Sequence, residues 1–316
     1  MSRKLRYVPD GVRLVHVTCR TIQGRYLFTP SQRFNDIALG VFGRAQRMHP
    51  IRICEIEVVS GHFHILFDVD SVQQVSDFME YAGSKLAREV NRLTGWSGPV
   101  FERRYSMIPV SNEEAAQVDV LKYVIGHGVK EGLVERVVDW PGVHSAKARL
   151  LGEPLTGHWF SRKDEHAARR RGKDFDPMEY ATEETVVLSP IPCWEHLPAE
   201  EYRDRVRGLV EEVEEEAAAD RERSGIPVLG PGAILAQDPQ HRPRKLSKSP
   251  LPSCTPRPKP PARRSTSPTP GSSGSSARPP RSSDEETATS VSRPGASRRP
   301  CLSYPGRGGK QVRTGR

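Results

Sequence analysis

Paired cysteine is the first thing this sequence lacks. Its five cysteines, Cys19, Cys54, Cys193, Cys254 and Cys301, form no C-x-x-C pair and are odd in number. That argues against a disulfide framework and against a cysteine zinc site. No apolar run reaches the ~18 residues of a membrane span, and the start, Met1-Ser2-Arg3-Lys4-Leu5-Arg6, is not followed by the apolar core of a signal peptide. A cytoplasmic protein with no membrane partner is expected. The G-x-x-x-x-G-K-[ST] pattern is missing too, so chemistry driven by nucleotide hydrolysis is not expected.

Large apolar residues are almost missing from 241–316. That stretch holds 17 Lys/Arg against 3 Asp/Glu and 14 of the 28 prolines. It cannot bury enough surface to offset its ordering entropy, which predicts a disordered Pro/Ser/Arg-rich tail. The chain's formal net charge of +9 belongs to this tail, because residues 1–240 carry 31 basic and 36 acidic side chains. Net charge is therefore no evidence for a basic catalytic surface. Any nucleic-acid affinity must come from a local patch and from the tail.

What the sequence does have is His62-Phe63-His64, inside the apolar run IRICEIEVVSGHFHILFDVD at 51–70. Side chains alternate faces along a strand, so both imidazoles share one face while Phe63 points into an apolar layer. Two neutral imidazoles so placed can converge on one divalent ion and want a third ligand. About sixty residues on, Tyr123 and His127 lie four apart in VLKYVIGH, on one face of an expected helix. A nucleophile and a ligand would then sit one turn apart.

At this point the chain resembles the single-tyrosine HUH transposases, and among them the REP-associated tyrosine transposases. The histidine–hydrophobe–histidine strand and the tyrosine helix are joined by further matches in order. LVHVTCRTIQGRYLFTP at 14–30 is similar to the family's first strand and loop, and residues 81–95 to its long helix. Phe101-Glu102-Arg103-Arg104-Tyr105 is similar to a family segment, and Glu131 to Pro141 with Ser145 to its closing signature. The resemblance covers about residues 6–150. It implies that His62, His64 and His127 hold Mg²⁺ or Mn²⁺, that Tyr123 is the nucleophile, and that the substrate is single-stranded or hairpin DNA cleaved and rejoined through a 5′-phosphotyrosine. Two positions depart from the pattern. Gly61 stands where an asparagine is usual before the first histidine, and His127-Gly128 where an asparagine–proline pair is usual. Histidine remains a competent ligand, but the metal preference is left open.

Each residue also has a plainer reading. A histidine pair on a strand can be structural, Tyr123 can be a packed tyrosine with its hydroxyl in solvent, and His127 can be a surface histidine at a helix end. Tyr105 is the rival nucleophile, in a strand-like setting that suits packing. Arg103, Arg104, Lys85 and Lys122 are the candidate DNA contacts nearest in sequence, or else part of a solvated mixed-charge surface. Two other functions compete: a ferredoxin-like nucleic-acid-binding module without catalysis, and a metal-dependent phosphodiesterase using water. A homodimer is one assembly to expect.

Periodicity predicts strands at 13–20, 51–60, 62–69 and 103–110, and helices from Ser31 to about 47, from 71 to 93 and from 112 to 130. This βαββαβ order followed by a helix is an α+β, ferredoxin-like split β-α-β antiparallel sheet with an added catalytic helix. It would form a domain at 6–150, followed by a partly helical extension at 151–240 and the tail at 241–316. In the extension, 162–173 reads as a charged helix or linker. Residues 198–224 read as a Glu-rich helix whose apolar stripe includes Tyr202, Val206, Val210 and Val213.

Overall fold

The computed structural model describes residues 7–172 and 176–243; the expected tail beyond 243 lies outside the described residues. Four strands, β1 (Leu14–Arg20), β2 (Arg52–Val59), β3 (His62–Asp68) and β4 (Ser106–Pro109), form one sheet in the order β2-β3-β1-β4. Every pairing in it is antiparallel. With α1 (Gln32–Met48) and α2 (Val72–Thr94) as the connections, this is the expected ferredoxin-like arrangement. The histidine strand is central.

One face of the sheet is an apolar layer. Val15 and Val17 of β1, Ile53, Ile56 and Val58 of β2, and Phe63, Ile65 and Phe67 of β3 pack there against Phe42 of α1 and Phe78 of α2. Both helices start where the sequence says they should: the Ser31 hydroxyl accepts the Phe34 N–H, and Ser71 with Gln74 closes a capping box. Phe63 is 1% exposed, so it anchors the strand as its alternation requires.

The other face is covered by α3 (Glu114–Ile125), the short α4 (His127–Lys130) and the long α7 (Ala199–Ser224). Two expectations are corrected here. The strand expected at 103–110 is limited to Ser106–Pro109, and the helix expected over 112–130 breaks at Gly126. A Cβ at 126 would lie 2.4 Å from Val213 Cγ1 of α7. The close approach of α7 demands glycine there, and glycine weakens the helix.

Residues beyond 150 hold structure that hydrophobic periodicity did not show. β5 (Thr156–Phe160) and β6 (Ala181–Thr185) form a two-stranded antiparallel sheet that lies on α1. The approach is backbone to backbone: a Cβ on Gly40 would meet the His158 carbonyl at 2.2 Å, and one on Gly157 the Asp36 oxygen at 2.1 Å. The charged 162–173 segment forms α6 (Arg162–Arg170). Tyr202, Val206, Val210, Val213 and Ala217 of α7 are buried against α3, α4 and α5 (Ala146–Leu151). After α8 (Pro231–Leu235) the chain returns to the domain, where Ser60 Oγ donates to Gln237 Oε1 at 2.5 Å and Tyr26 N donates to the His241 carbonyl at 3.2 Å. Among the described residues no helix is long and apolar enough to cross a membrane, and Cys19, Cys54 and Cys193 form no disulfide with one another.

Candidate active site

On β1, His16, Thr18 and Arg20 alternate with Val15, Val17 and Cys19, so they face away from the apolar layer. The register sets Thr18 beside His64 and Arg20 beside His62. Two adjacent central strands thus present a block of five polar side chains, His16, Thr18, Arg20, His62 and His64, to the same face. Over it lie α3 and α4, carrying Tyr123 and His127, with rings 5.7 Å apart despite the break at Gly126.

His62, His64 and His127 offer ligand atoms that all lie within 4.8 Å of one another. Their ring centroids are 4.8 to 5.0 Å apart, and the Nε2 atoms of His62 and His127 are 3.0 Å apart. Burial pushes all three imidazoles away from the charged form: His127 is lowered to about 4, and His62 and His64 well below the ordinary histidine range. Neutral imidazoles are what a cation needs. His64 Nε2 is buried and has no hydrogen-bond partner among the described residues. An unpaired buried ring nitrogen is costly, and a divalent ion among three imidazoles would satisfy it. The donor set fits a metal.

His16 completes the support of this cluster, and sequence reasoning missed it. It is 3% exposed, shares a 2.8 Å hydrogen bond between its Nε2 and His64 Nδ1, and stacks on that ring at 5.0 Å. Thr18 Oγ1 is 3.2 Å from the same Nδ1. The alternation of β1 was the available signal, since His16 falls on the same face as Thr18 and Arg20.

Tyr123 is half-buried, with its ring 5.7 Å from that of His64 and 6.0 Å from that of His16. Burial raises its phenol above the ordinary value, nearby Glu131 and Glu57 add to this, and Arg20 opposes it. The end of α3 is braced by His144, which is fully buried and lowered to about 4 by that burial. Its Nε2–H donates to the Ile125 carbonyl at 3.1 Å, while its Nδ1 accepts the Ala146 N–H at 2.8 Å. Glu57, also fully buried, accepts the Gly128 N–H at 3.2 Å, and burial pushes its carboxyl well above the usual range.

The cleft above the cluster has a volume of about 200 Å³ and is lined by Arg20, His62, Tyr123, His127, Glu131 and Gln237 among others. The other candidates lie elsewhere. Arg103 and Arg104 are exposed and line, with Tyr105 and Phe101, a separate cleft beside α2. Tyr105 is half-buried, with its hydroxyl 3.4 Å from Ser76 Oγ. Lys85 lies 5.6 Å over the Tyr81 ring. Lys122 is held by Glu212 and Glu216 of α7 at 2.7 and 2.8 Å. The structure brings together the three histidines and Tyr123, and leaves the basic candidates apart from them.

The sequence model of the family described as "Transposase IS200 like" matches residues 14–126. That span runs from the first residue of β1 through Tyr123. Residues 14–126 are thus similar to the IS200-like transposases, in agreement with the resemblance seen in the motifs. No curated protein matches the chain. Among solved structures, a REP-associated tyrosine transposase bound to a REP hairpin is similar at 18% identity and a TM-score of 0.38, covering 49% of this chain and 90% of its own. A transposase candidate from Deinococcus radiodurans R1 is similar at 16% identity and a TM-score of 0.28, covering 38% of this chain and 95% of its own.

Proposed function

We propose that residues 6–150 form a transposase domain that cleaves and rejoins single-stranded or hairpin DNA, with Tyr123 as the nucleophile, and that residues 151–240 are an extension buttressing it. The observation that carries this reading is the convergence of His62, His64 and His127 within 4.8 Å of one another, with Tyr123 lining the same cleft. A packed structural tyrosine has no need of three neutral, desolvated imidazoles beside it.

Mg²⁺ or Mn²⁺ held by His62, His64 and His127 would supply Lewis-acid polarisation of the scissile phosphate. Tyr123 Oη forms the new P–O bond as the P–O3′ bond breaks, giving a 5′-phosphotyrosine and a free 3′-OH. The tyrosine proton passes to water in the cleft, and the departing 3′ oxygen takes a proton from water. The covalent intermediate conserves the phosphodiester bond energy for the reverse attack by a 3′-OH. Hairpin recognition would rest on stacking and on edge contacts with unpaired bases. Arg103, Arg104 and Lys85 are the proposed DNA contacts outside the cleft. The two glutamates that neutralise Lys122 make it the weakest of the four sequence candidates.

The test is a labelled hairpin oligonucleotide incubated with Mn²⁺ and resolved under denaturing conditions. Wild type should form a denaturation-resistant protein–DNA adduct. Tyr123→Phe should form none while binding the hairpin within a few-fold of wild type. Cutting that survives Tyr123→Phe would establish a water nucleophile instead, and an adduct lost only in Tyr105→Phe would move the nucleophile to that residue.

A further inference from the structure

We propose that Arg20 is a catalytic residue whose guanidinium grips the non-bridging oxygens of the scissile phosphate; this rests on the phosphotyrosine chemistry proposed above. Arg20 closes β1, directly across from His62 in the register. It shares the cleft with His62, Tyr123 and His127. It is half-buried, and among the described residues its guanidinium has neither a carboxylate nor a carbonyl partner. Several other arginines of the described residues are held by carboxylates. Arg13 and Arg52 hold Asp68 at 2.7 and 2.6 Å, Arg149 holds Glu55 at 3.2 Å, and Arg162 holds Glu89 at 2.5 Å.

Partly desolvating a charge without a partner costs free energy, so the arrangement is explained by an anion supplied from outside. The backbone that carries Arg20 is fixed: its carbonyl accepts the Glu102 N–H at 3.1 Å, and the next residue, Thr21, donates its N–H to the Gly61 carbonyl at 3.0 Å. The point from which the side chain starts, beside His62, is therefore set before substrate arrives. Its field reaches the reacting groups, since it acts against protonation of His62, His64 and His127 and favours the tyrosinate of Tyr123. A planar fork of N–H donors suits two phosphate oxygens at once. In the step it assists, the Tyr123 Oη–P bond forms, the P–O3′ bond breaks, and the negative charge on the equatorial oxygens grows where the guanidinium sits.

The experiment compares single-turnover adduct formation by wild type, Arg20→Ala and Arg20→Lys on two hairpins, one with a natural scissile phosphate and one with a methylphosphonate there. The methylphosphonate replaces a charged oxygen with a methyl group. On the natural hairpin Arg20→Ala should be slower than wild type by about 100-fold or more, with Arg20→Lys between them. On the methylphosphonate hairpin wild type and Arg20→Ala should agree within about fivefold. With Tyr123→Phe as background and no added metal, the natural hairpin should bind more tightly than the methylphosphonate one, and adding Arg20→Ala should erase that preference. A defect of Arg20→Ala that is equally large on both hairpins, or a binding preference that survives it, would reduce Arg20 to a structural residue. Wild type that forms no adduct on the natural hairpin would overturn the phosphotyrosine reading and this assignment with it.

Discussion

A phenol that is to attack phosphorus must give up its proton, and Tyr123 is placed where burial makes that harder. The neighbourhood has to supply the compensating positive charge, and the neutral histidines do not bring it themselves. His16 matters for the same reason at one remove. In the proposed metal-bound state His64 Nε2 would face the ion, and Nδ1 would carry the proton and donate it to His16 Nε2 across 2.8 Å. His16→Ala should leave the fold standing and weaken Mn²⁺ binding by about 10–100-fold, the usual cost of removing a partner that orients a ligand. Calorimetric titration of the DNA-free protein checks this, and unchanged affinity would leave His16 a packing residue. Phe63, on the opposite face of the same strand, should behave the other way. Phe63→Ala should destabilise by about 3–5 kcal/mol in chemical denaturation, whether metal is present or not.

At the scale of the element, the break between α3 and α4 is a packing consequence with a measurable cost. Gly126→Ala drives a methyl group into Val213 and should destabilise by about 1–3 kcal/mol, as overpacking does. Pairing it with Val213→Ala should recover part of the loss, and denaturation midpoints of the four proteins give the coupling directly. The far end of the histidine strand carries a pH signature as well. Burial works against ionisation of Asp68, yet hydrogen bonds from Arg13 and Arg52 prevail and hold its carboxyl below the usual range. A lowered carboxylate contributes stability above its unfolded value of about 4, and that contribution disappears as pH falls through the folded value. The melting temperature should therefore drop more steeply below pH ~4 in wild type than in Asp68→Asn.

The elements differ in how far the sequence declared them. The histidine strand, the Ser31 and Ser71 helix starts and the alternation of β1 were legible because local patterning and capping decide them. The β5–β6 pair was not, because it is held by backbone contact with Gly40 and Gly157, a signal without hydrophobic period. In the site, His62, His64, Tyr123 and His127 announced themselves by spacing. His16 and Arg20 did not, since their meaning comes from cross-strand register.

For the whole molecule, charge is divided between an acidic stretch at 1–240 and a basic one at 241–316. Truncation after Pro243 removes 16 Lys/Arg and 3 Asp/Glu and spares the contacts of Gln237 and His241. Fewer counterions are then released on binding, so the salt dependence of oligonucleotide affinity should become shallower while cleavage of a saturating hairpin persists. A truncated protein with an unchanged melting transition that no longer cleaves would place part of the active site beyond residue 243.

The return of the chain to its own beginning has a consequence in time. Ser60 and Gln237, joined by a hydrogen bond beside the histidines, are 177 residues apart in the chain. At a synthesis rate of about 5–20 residues per second, Ser60 is made roughly 9–35 s before its partner exists. The sheet, the histidines and Tyr123 can assemble in that interval, but the wall that Gln237 and Pro243 give the cleft cannot. The nascent protein therefore passes through a stage with an open-sided site, and a stalled chain released at about residue 230, after α7, would keep it.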